Sequence, residues 1–215
     1  MSKHLLVLVM LLVPLIARAE GVLVLGDSIS AAYGLAETEG WVRMLGQRLE
    51  TQCSGLPVNN ASVSGETSDG GVARLPRLLE RYHPEVVVIE LGGNDGLRGL
   101  PPGRLADNLE HLIELSRQAG AKPVLLGMRI PPNYGQAYTR LFEQAFQSTA
   151  RDQRVPFMPF LLEGVVEAGQ LQDDGIHPTA EAQATLLENA WPVIKPALPA
   201  RCQEAFESTP AKAAE

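Results

Sequence analysis

The sequence predicts an α/β protein, a three-layer α/β/α sandwich built on about five parallel strands in the order 2-1-3-4-5. Three observations carry this expectation. Short apolar runs alternate with segments of helical periodicity, the pattern of a parallel sheet covered on both faces. The run Val86-Val87-Val88-Ile89 is continuously apolar, as a strand buried on both sides must be. Small and polar residues collect after successive runs, at the end of the sheet where open α/β folds bind ligands.

The strand candidates are Val22–Leu25, Pro57–Ala61, Val86–Leu91, Pro123–Gly127 and Val155–Phe160, the second and last being weaker. Between them, Trp41, Leu45 and Leu49 recur at four-residue spacing, and Leu75, Leu78 and Leu79 do likewise. Leu105, Leu109, Leu112, Ile113 and Ser116 mark one face of a third helix. Leu141, Phe142, Ala145 and Phe146 mark a fourth, and Ala182, Leu186, Leu187 and Ala190 a last one. No repeat or linker interrupts the pattern, and 215 residues suit one domain with a real core.

The N-terminus reads differently. Lys3 precedes an apolar run from Leu5 to Ile16, and Ala17-Arg18-Ala19 places small residues where a signal peptidase needs them. This is a secretory leader, cut after Ala19, and its run is too short to span a bilayer. Glu20 follows the cut rather than Cys, so the pattern is not that of a lipoprotein. The domain then covers 20–202, with an Ala-, Glu- and Lys-rich end, 203–215, expected to be disordered. The expected location is the periplasm or outside the cell, with no membrane span left after cleavage, and the expected state is a monomer. An oxidising compartment lets cysteines pair. Cys53 follows the first helix and Cys202 the last, and in the order 2-1-3-4-5 those helices can share a face. The two thiols can then meet.

Charge excludes one class of partner. With 18 basic against 25 acidic residues the net charge is −7, which repels phosphate backbones, and aromatics make up only 5% of the chain. Nucleic acid is therefore not an expected partner.

The chemistry lies after the strands. The segments are Gly26-Asp27-Ser28-Ile29-Ser30, Ala61-Ser62-Val63-Ser64-Gly65-Glu66-Thr67, Gly92-Gly93-Asn94-Asp95 and, before the last helix, Asp173-Asp174-Gly175-Ile176-His177-Pro178. Ser28 sits where a strand ends. Alone it reads as a helix cap, and a serine is a weak nucleophile until a base takes its proton. Of four histidines, His4 leaves with the leader, His83 lies at the other end of the sheet, and His111 falls off its helix's apolar stripe. His177 remains, with Asp174 three residues earlier to orient it. Acyl transfer also needs oxyanion donors. The Gly65 amide, the Asn94 side chain and the Ser28 amide are available, and in the order 2-1-3 their segments are neighbours. Gly65 and Asn94 each read alone as turn or cap residues. Asp27 points away from its neighbour Ser28 and reads as structural, as do Asp95 and Asp173. Four histidines and two distant cysteines form no metal motif.

Together, Gly26-Asp27-Ser28, Gly65, Gly92-Gly93-Asn94-Asp95 and Asp174-x-x-His177-Pro178 resemble the four sequence blocks of the GDSL/SGNH hydrolases, in that family's order and at about its spacing. The resemblance covers nearly the whole chain after residue 19. The first block ends in Ile29 where the family's name has Leu, and there is no Gly-x-Ser-x-Gly elbow. The resemblance implies a flavodoxin-like sheet and a triad of Ser28, His177 and Asp174. It also implies an oxyanion hole of Ser28, Gly65 and Asn94, and no cofactor or metal. The implied activity is hydrolysis of acyl esters and thioesters, including acyl-CoA, lysophospholipid, and aryl or alkyl esters. Leu97 and Leu100 in one loop, and Ile130 and Tyr134 in a second, are expected to flank an acyl groove. A carbohydrate-ester deacetylase of the same fold and a non-catalytic periplasmic binding module are the alternatives.

Overall fold

The computed structural model describes residues 21–208; the expected leader over 1–19 and the end of the tail, 209–215, lie outside the described residues. The elements are β1 (Val22–Gly26), α1 (Trp41–Gln52), β2 (Val58–Asn60), α2 (Ser68–Tyr82), β3 (Val86–Glu90), α3 (Gly93–Leu97), α4 (Pro102–Gln118), β4 (Lys122–Leu126), α5 (Gln136–Gln153), β5 (Phe157–Met158), α6 (Gln183–Ile194) and α7 (Ala200–Ser208). The five strands are parallel and lie in the order β2-β1-β3-β4-β5, as the sequence predicts.

The central strands β1 and β3 are buried at every position and pair from Val22↔Val86 to Gly26↔Glu90. The edge strands are short and half-buried, because an edge pairs on one side only and its flanks turn early into loops. This is where the sequence signal is weakest. Helices α1, α6 and α7 pack together, as do α2, α4 and α5, giving the two outer layers. The buried stripe of α1 includes Trp41, Leu45 and Leu49. The Trp41 amide donates to Gln183 Oε1 on α6 at 3.0 Å, which joins two helices of one layer.

Three expectations need correction. Leu141 is exposed, and the buried stripe of α5 begins one residue later with Phe142, Ala145 and Phe146, continuing through Thr149 and Ala150. Leu97, expected in a loop, ends a short helix over Gly93–Leu97, and Gly92 caps it at φ 116°, a left-handed conformation that favours glycine. The last helix is α7, not α6, so 203–208, expected to be disordered, are helical. Nine residues make a marginal helix in isolation. Here tertiary contacts hold it: Cys202 is fully buried, and Phe206 meets the Trp191 ring edge-on at 5.8 Å.

Cys53 ends α1, and its disulfide to Cys202 joins α1 to α7 with the two Cα atoms 5.0 Å apart. The bridge spans 149 residues, so it constrains most of the unfolded chain. In urea unfolding of oxidised protein, Cys202→Ser is expected to lower stability by about 2–5 kcal/mol. Dithiothreitol is expected to lower the wild type equally and to leave the variant unchanged. A wild type indifferent to reduction would contradict a stabilising bridge.

Candidate active site

The carboxyl end of β1 meets that of β3, and the site is built on this junction. Gly26, the last residue of β1, is opposite Glu90, the last of β3. A Cβ on Gly26 would lie 2.8 Å from Glu90 Oε2 and 2.7 Å from the Ser30 Cβ, so only glycine admits the turn that follows. That turn carries Ser28, half-buried, with the Ala31 amide donating to the Asp27 carbonyl at 3.0 Å.

Two buried carboxyl groups lie beneath it. Glu90 is 0% exposed. Its Oε2 accepts from Ser30 Oγ at 2.6 Å and from the Asp27 amide at 3.3 Å, while Oε1 meets no hydrogen-bond partner among the described residues. Burial, with the Asp27 charge close by, pushes the Glu90 carboxyl well above the usual range. An unpartnered oxygen suits the protonated acid. Asp27 is buried too, and burial pushes it up to about 6 against the hydrogen bonds it accepts. Its Oδ1 accepts from the Ile29 amide at 3.0 Å and its Oδ2 from Asn94 Nδ2 at 3.1 Å. Asp27 thereby ties the Ser28 turn to α3 and orients the Asn94 amide.

The turn before α6 brings in the remaining groups. Gly175, at φ 69°, lets the chain fold so that Gln172 N donates to the His177 carbonyl at 2.7 Å. Asp174 Oδ1 accepts from the amides of Ile176 at 2.9 Å and His177 at 3.0 Å. Its Oδ2 lies 2.6 Å from His177 Nδ1, and His177 Nε2 lies 2.9 Å from Ser28 Oγ. The backbone hydrogen bond from His177, then the imidazole and the Ile176 amide, hold the Asp174 carboxyl down to about 2. It is therefore a carboxylate, which accepts a hydrogen bond from Nδ1–H and leaves Nε2 as the acceptor for the Ser28 hydroxyl. Such a chain can withdraw a proton from Ser28 and return it.

The loop carrying Gly65 runs along the other side of β1, with the Val63 amide donating to the Gly26 carbonyl at 3.0 Å. Gly65 has φ 80°, and Arg98 Nη2 donates to its carbonyl at 2.8 Å, which fixes that peptide. Asp95 accepts from the Ser68 amide and hydroxyl at 2.9 and 2.5 Å, a structural role that binds α3 to the start of α2. Asp173 is exposed, and His111 is exposed on α4. His83 caps α2 before β3, at the far end of the sheet.

Leu97 and Leu100 are half-buried, and Tyr134 is exposed with its hydroxyl donating to the Leu97 carbonyl at 2.9 Å. Ile130 is a correction. It is buried against α3, where a Cβ on Gly96 would come within 2.5 Å of Ile130 Cγ2, so it supports the loop from beneath instead of lining a groove. Two residues at the site escape the sequence reading. Glu90 closes an otherwise apolar run, and a charged residue in a strand buried on both sides is the available signal. Tyr33, whose ring lies 4.4 Å from that of His177, has no comparable signal.

The model of the GDSL-like lipase/acylhydrolase family matches residues 24–185. The chain belongs to the GDSL-like lipase/acylhydrolase family. It is 50% identical over 183 residues to esterase TesA of Pseudomonas aeruginosa, covering 85% of this chain and 91% of that protein. It is 42% identical over 168 residues to thioesterase 1/protease 1/lysophospholipase L1 of Escherichia coli K12, covering 78% of this chain and 79% of the other. The crystal structure of the psychrotrophic esterase EstA from Pseudoalteromonas sp., inhibited by monoethylphosphonate, is 40% identical with a TM-score of 0.77, over 82% of this chain and 97% of that one. This GDSL-like chain thus shares fold and family with enzymes named as esterases and thioesterases.

Glu90 and Asp27 make this GDSL-like site sensitive to pH from within. Carboxyl groups raised by folding stabilise the protein while protonated, and that contribution is lost as pH rises through their folded values. Glu90→Gln removes one of the pair while keeping an oxygen for Ser30. Relative to wild type, the variant is expected to lose less stability between pH 5 and pH 8, read from urea midpoints. An unchanged pH slope would contradict a buried neutral Glu90.

Proposed function

We propose that this protein is an exported hydrolase of carboxylic esters and thioesters in which Ser28 is the nucleophile. The observation that carries the reading is the unbroken chain from Ser28 Oγ to His177 Nε2 at 2.9 Å and from His177 Nδ1 to Asp174 Oδ2 at 2.6 Å. Ser28 Oγ attacks the acyl carbon while His177 takes its proton. Negative charge then develops on the former carbonyl oxygen, where the Asn94 side chain and the Gly65 and Ser28 amides serve as donors. His177 returns the proton to the departing alcohol or thiol, and water, activated by the same imidazole, releases the acid from Ser28.

The names of the relatives, esterase and thioesterase/lysophospholipase, support acyl esters and thioesters as the substrate class. Leu97, Leu100 and Tyr134 supply the apolar side of an acyl groove. The leader over 1–19 directs the chain to the periplasm or beyond, in keeping with a disulfide that needs an oxidising compartment.

The direct test is turnover of a short-chain ester by folded variants. Ser28→Ala and His177→Ala are expected to lose several orders of magnitude, and Asp174→Ala less, because the carboxylate orients rather than transfers the proton. Near-normal activity in Ser28→Ala would exclude the assignment. Asn94→Ala is expected to lower kcat by roughly 10²–10³ with little change in KM. A change confined to KM would make Asn94 a binding residue only. For the groove, each buried methylene is worth ~0.8 kcal/mol, so two added acyl carbons raise kcat/KM by roughly tenfold until the groove ends. Leu97→Ser with Leu100→Ser is expected to flatten that dependence and spare short esters, and parallel curves would remove the groove.

A further inference from the structure

We infer that Tyr33 forms a leaving-group subsite that favours planar aromatic alcohols over aliphatic ones. The inference rests on the proposed role of Ser28 and His177 and adds a direction to it. Tyr33 is 51% exposed. The Tyr33 ring packs against the His177 ring with centroids 4.4 Å apart and planes 35° from parallel.

The ring is held there through its backbone. The Tyr33 amide donates to the Ser28 carbonyl at 3.1 Å. Gln172 Nε2 donates to the Tyr33 carbonyl at 2.8 Å and to the Pro178 carbonyl at 2.9 Å, while Gln172 N donates to the His177 carbonyl. One glutamine therefore clamps the Tyr33 segment to the turn that carries His177. The clamp needs Gly34: at φ 78° a Cβ there would fall 2.3 Å from Gln172 Oε1. Nothing in the packing of the core requires this arrangement, since Tyr33 contributes no buried side chain to it.

The geometry of acyl transfer says what meets the ring. The acyl carbon lies between Ser28 Oγ and the oxyanion donors on the loops after β2 and β3. The leaving oxygen must reach His177 Nε2 to collect its proton, so it lies on the imidazole side. The group attached to that oxygen leaves past His177, where the half-exposed Tyr33 ring packs. Two rings in offset contact gain more than a ring and an alkyl chain of similar area. In deacylation the same subsite admits an alcohol in place of water. Its oxygen bonds to the acyl carbon, its proton passes to His177 and then to Ser28 Oγ, and the Ser28–acyl bond breaks, yielding an ester and free enzyme.

The test compares phenyl butyrate with ethyl butyrate, followed by acid release for wild type, Tyr33→Ala, Tyr33→Phe and Ser28→Ala. The acyl group is common, so intrinsic reactivity cancels when the phenyl/ethyl ratio of kcat/KM is compared between variants. The ratio is expected to fall about tenfold in Tyr33→Ala, the scale of one aromatic contact, and to hold within about twofold in Tyr33→Phe. Transfer of the butyryl group to benzyl alcohol, relative to 1-propanol, is expected to fall by the same factor. Equal losses on both esters would make Tyr33 a support for His177 only, and an unchanged ratio would leave the subsite without a function; either overturns the inference. Turnover of either ester by Ser28→Ala would instead overturn the reading of Ser28 itself.

Discussion

The pairing of β1 with β3 in parallel register is the constraint on which the site depends. It sets Gly26 opposite Glu90, at the one place where a chain must turn sharply above a buried acid. Glu90 accepts from both Ser30 and the Asp27 amide, so it holds the turn from beneath at its first and fourth residues beyond the strand. Asp27 then reaches sideways to Asn94. Ser28 is thus presented by a turn that is fixed from below and from one flank, and only its hydroxyl side is left to face His177. Because Glu90 belongs to a strand and not to a loop, this support is as rigid as the sheet.

Three carboxyl groups around the site show how environment separates like residues. Asp174 lies on the surface and accepts two amides and an imidazole, so it stays ionised to about pH 2. Asp27 and Glu90 are enclosed, and enclosure disfavours their charge. The first lies against the His177 imidazole; the other two hold a turn. Their difference lies in solvation and hydrogen bonding, which no motif encodes.

That difference also explains what was legible in the sequence. The central strands announced themselves through unbroken apolar runs, and four of the helices through stripes that the structure buries with little change. The site segments were legible because they combine serine, glycine, asparagine, histidine and aspartate at strand ends, where few other roles explain the set. Glu90 was hidden inside a strand run, and its meaning depends on Gly26, far away in the chain and opposite in the sheet. Tyr33 looked like any loop aromatic until the Gln172 clamp placed it against His177. Ile130 was read as groove lining from its loop position, but the tight approach of α3 over Gly96 draws it inward. Helix α7 was missed because its order comes from the disulfide and the Trp191–Phe206 contact rather than from its own periodicity.

The proposed mechanism requires Ser28 Oγ to carry the acyl group between the two half-reactions. The most direct measurement is acid quenching of the wild-type enzyme during turnover of an ester whose alcohol is released in a pre-steady-state burst, followed by peptide mass mapping. One acyl group on the peptide containing Ser28, lost again on substrate exhaustion, is the predicted result. A burst of alcohol with the acyl group on another residue, or with no modified peptide at all, would contradict it.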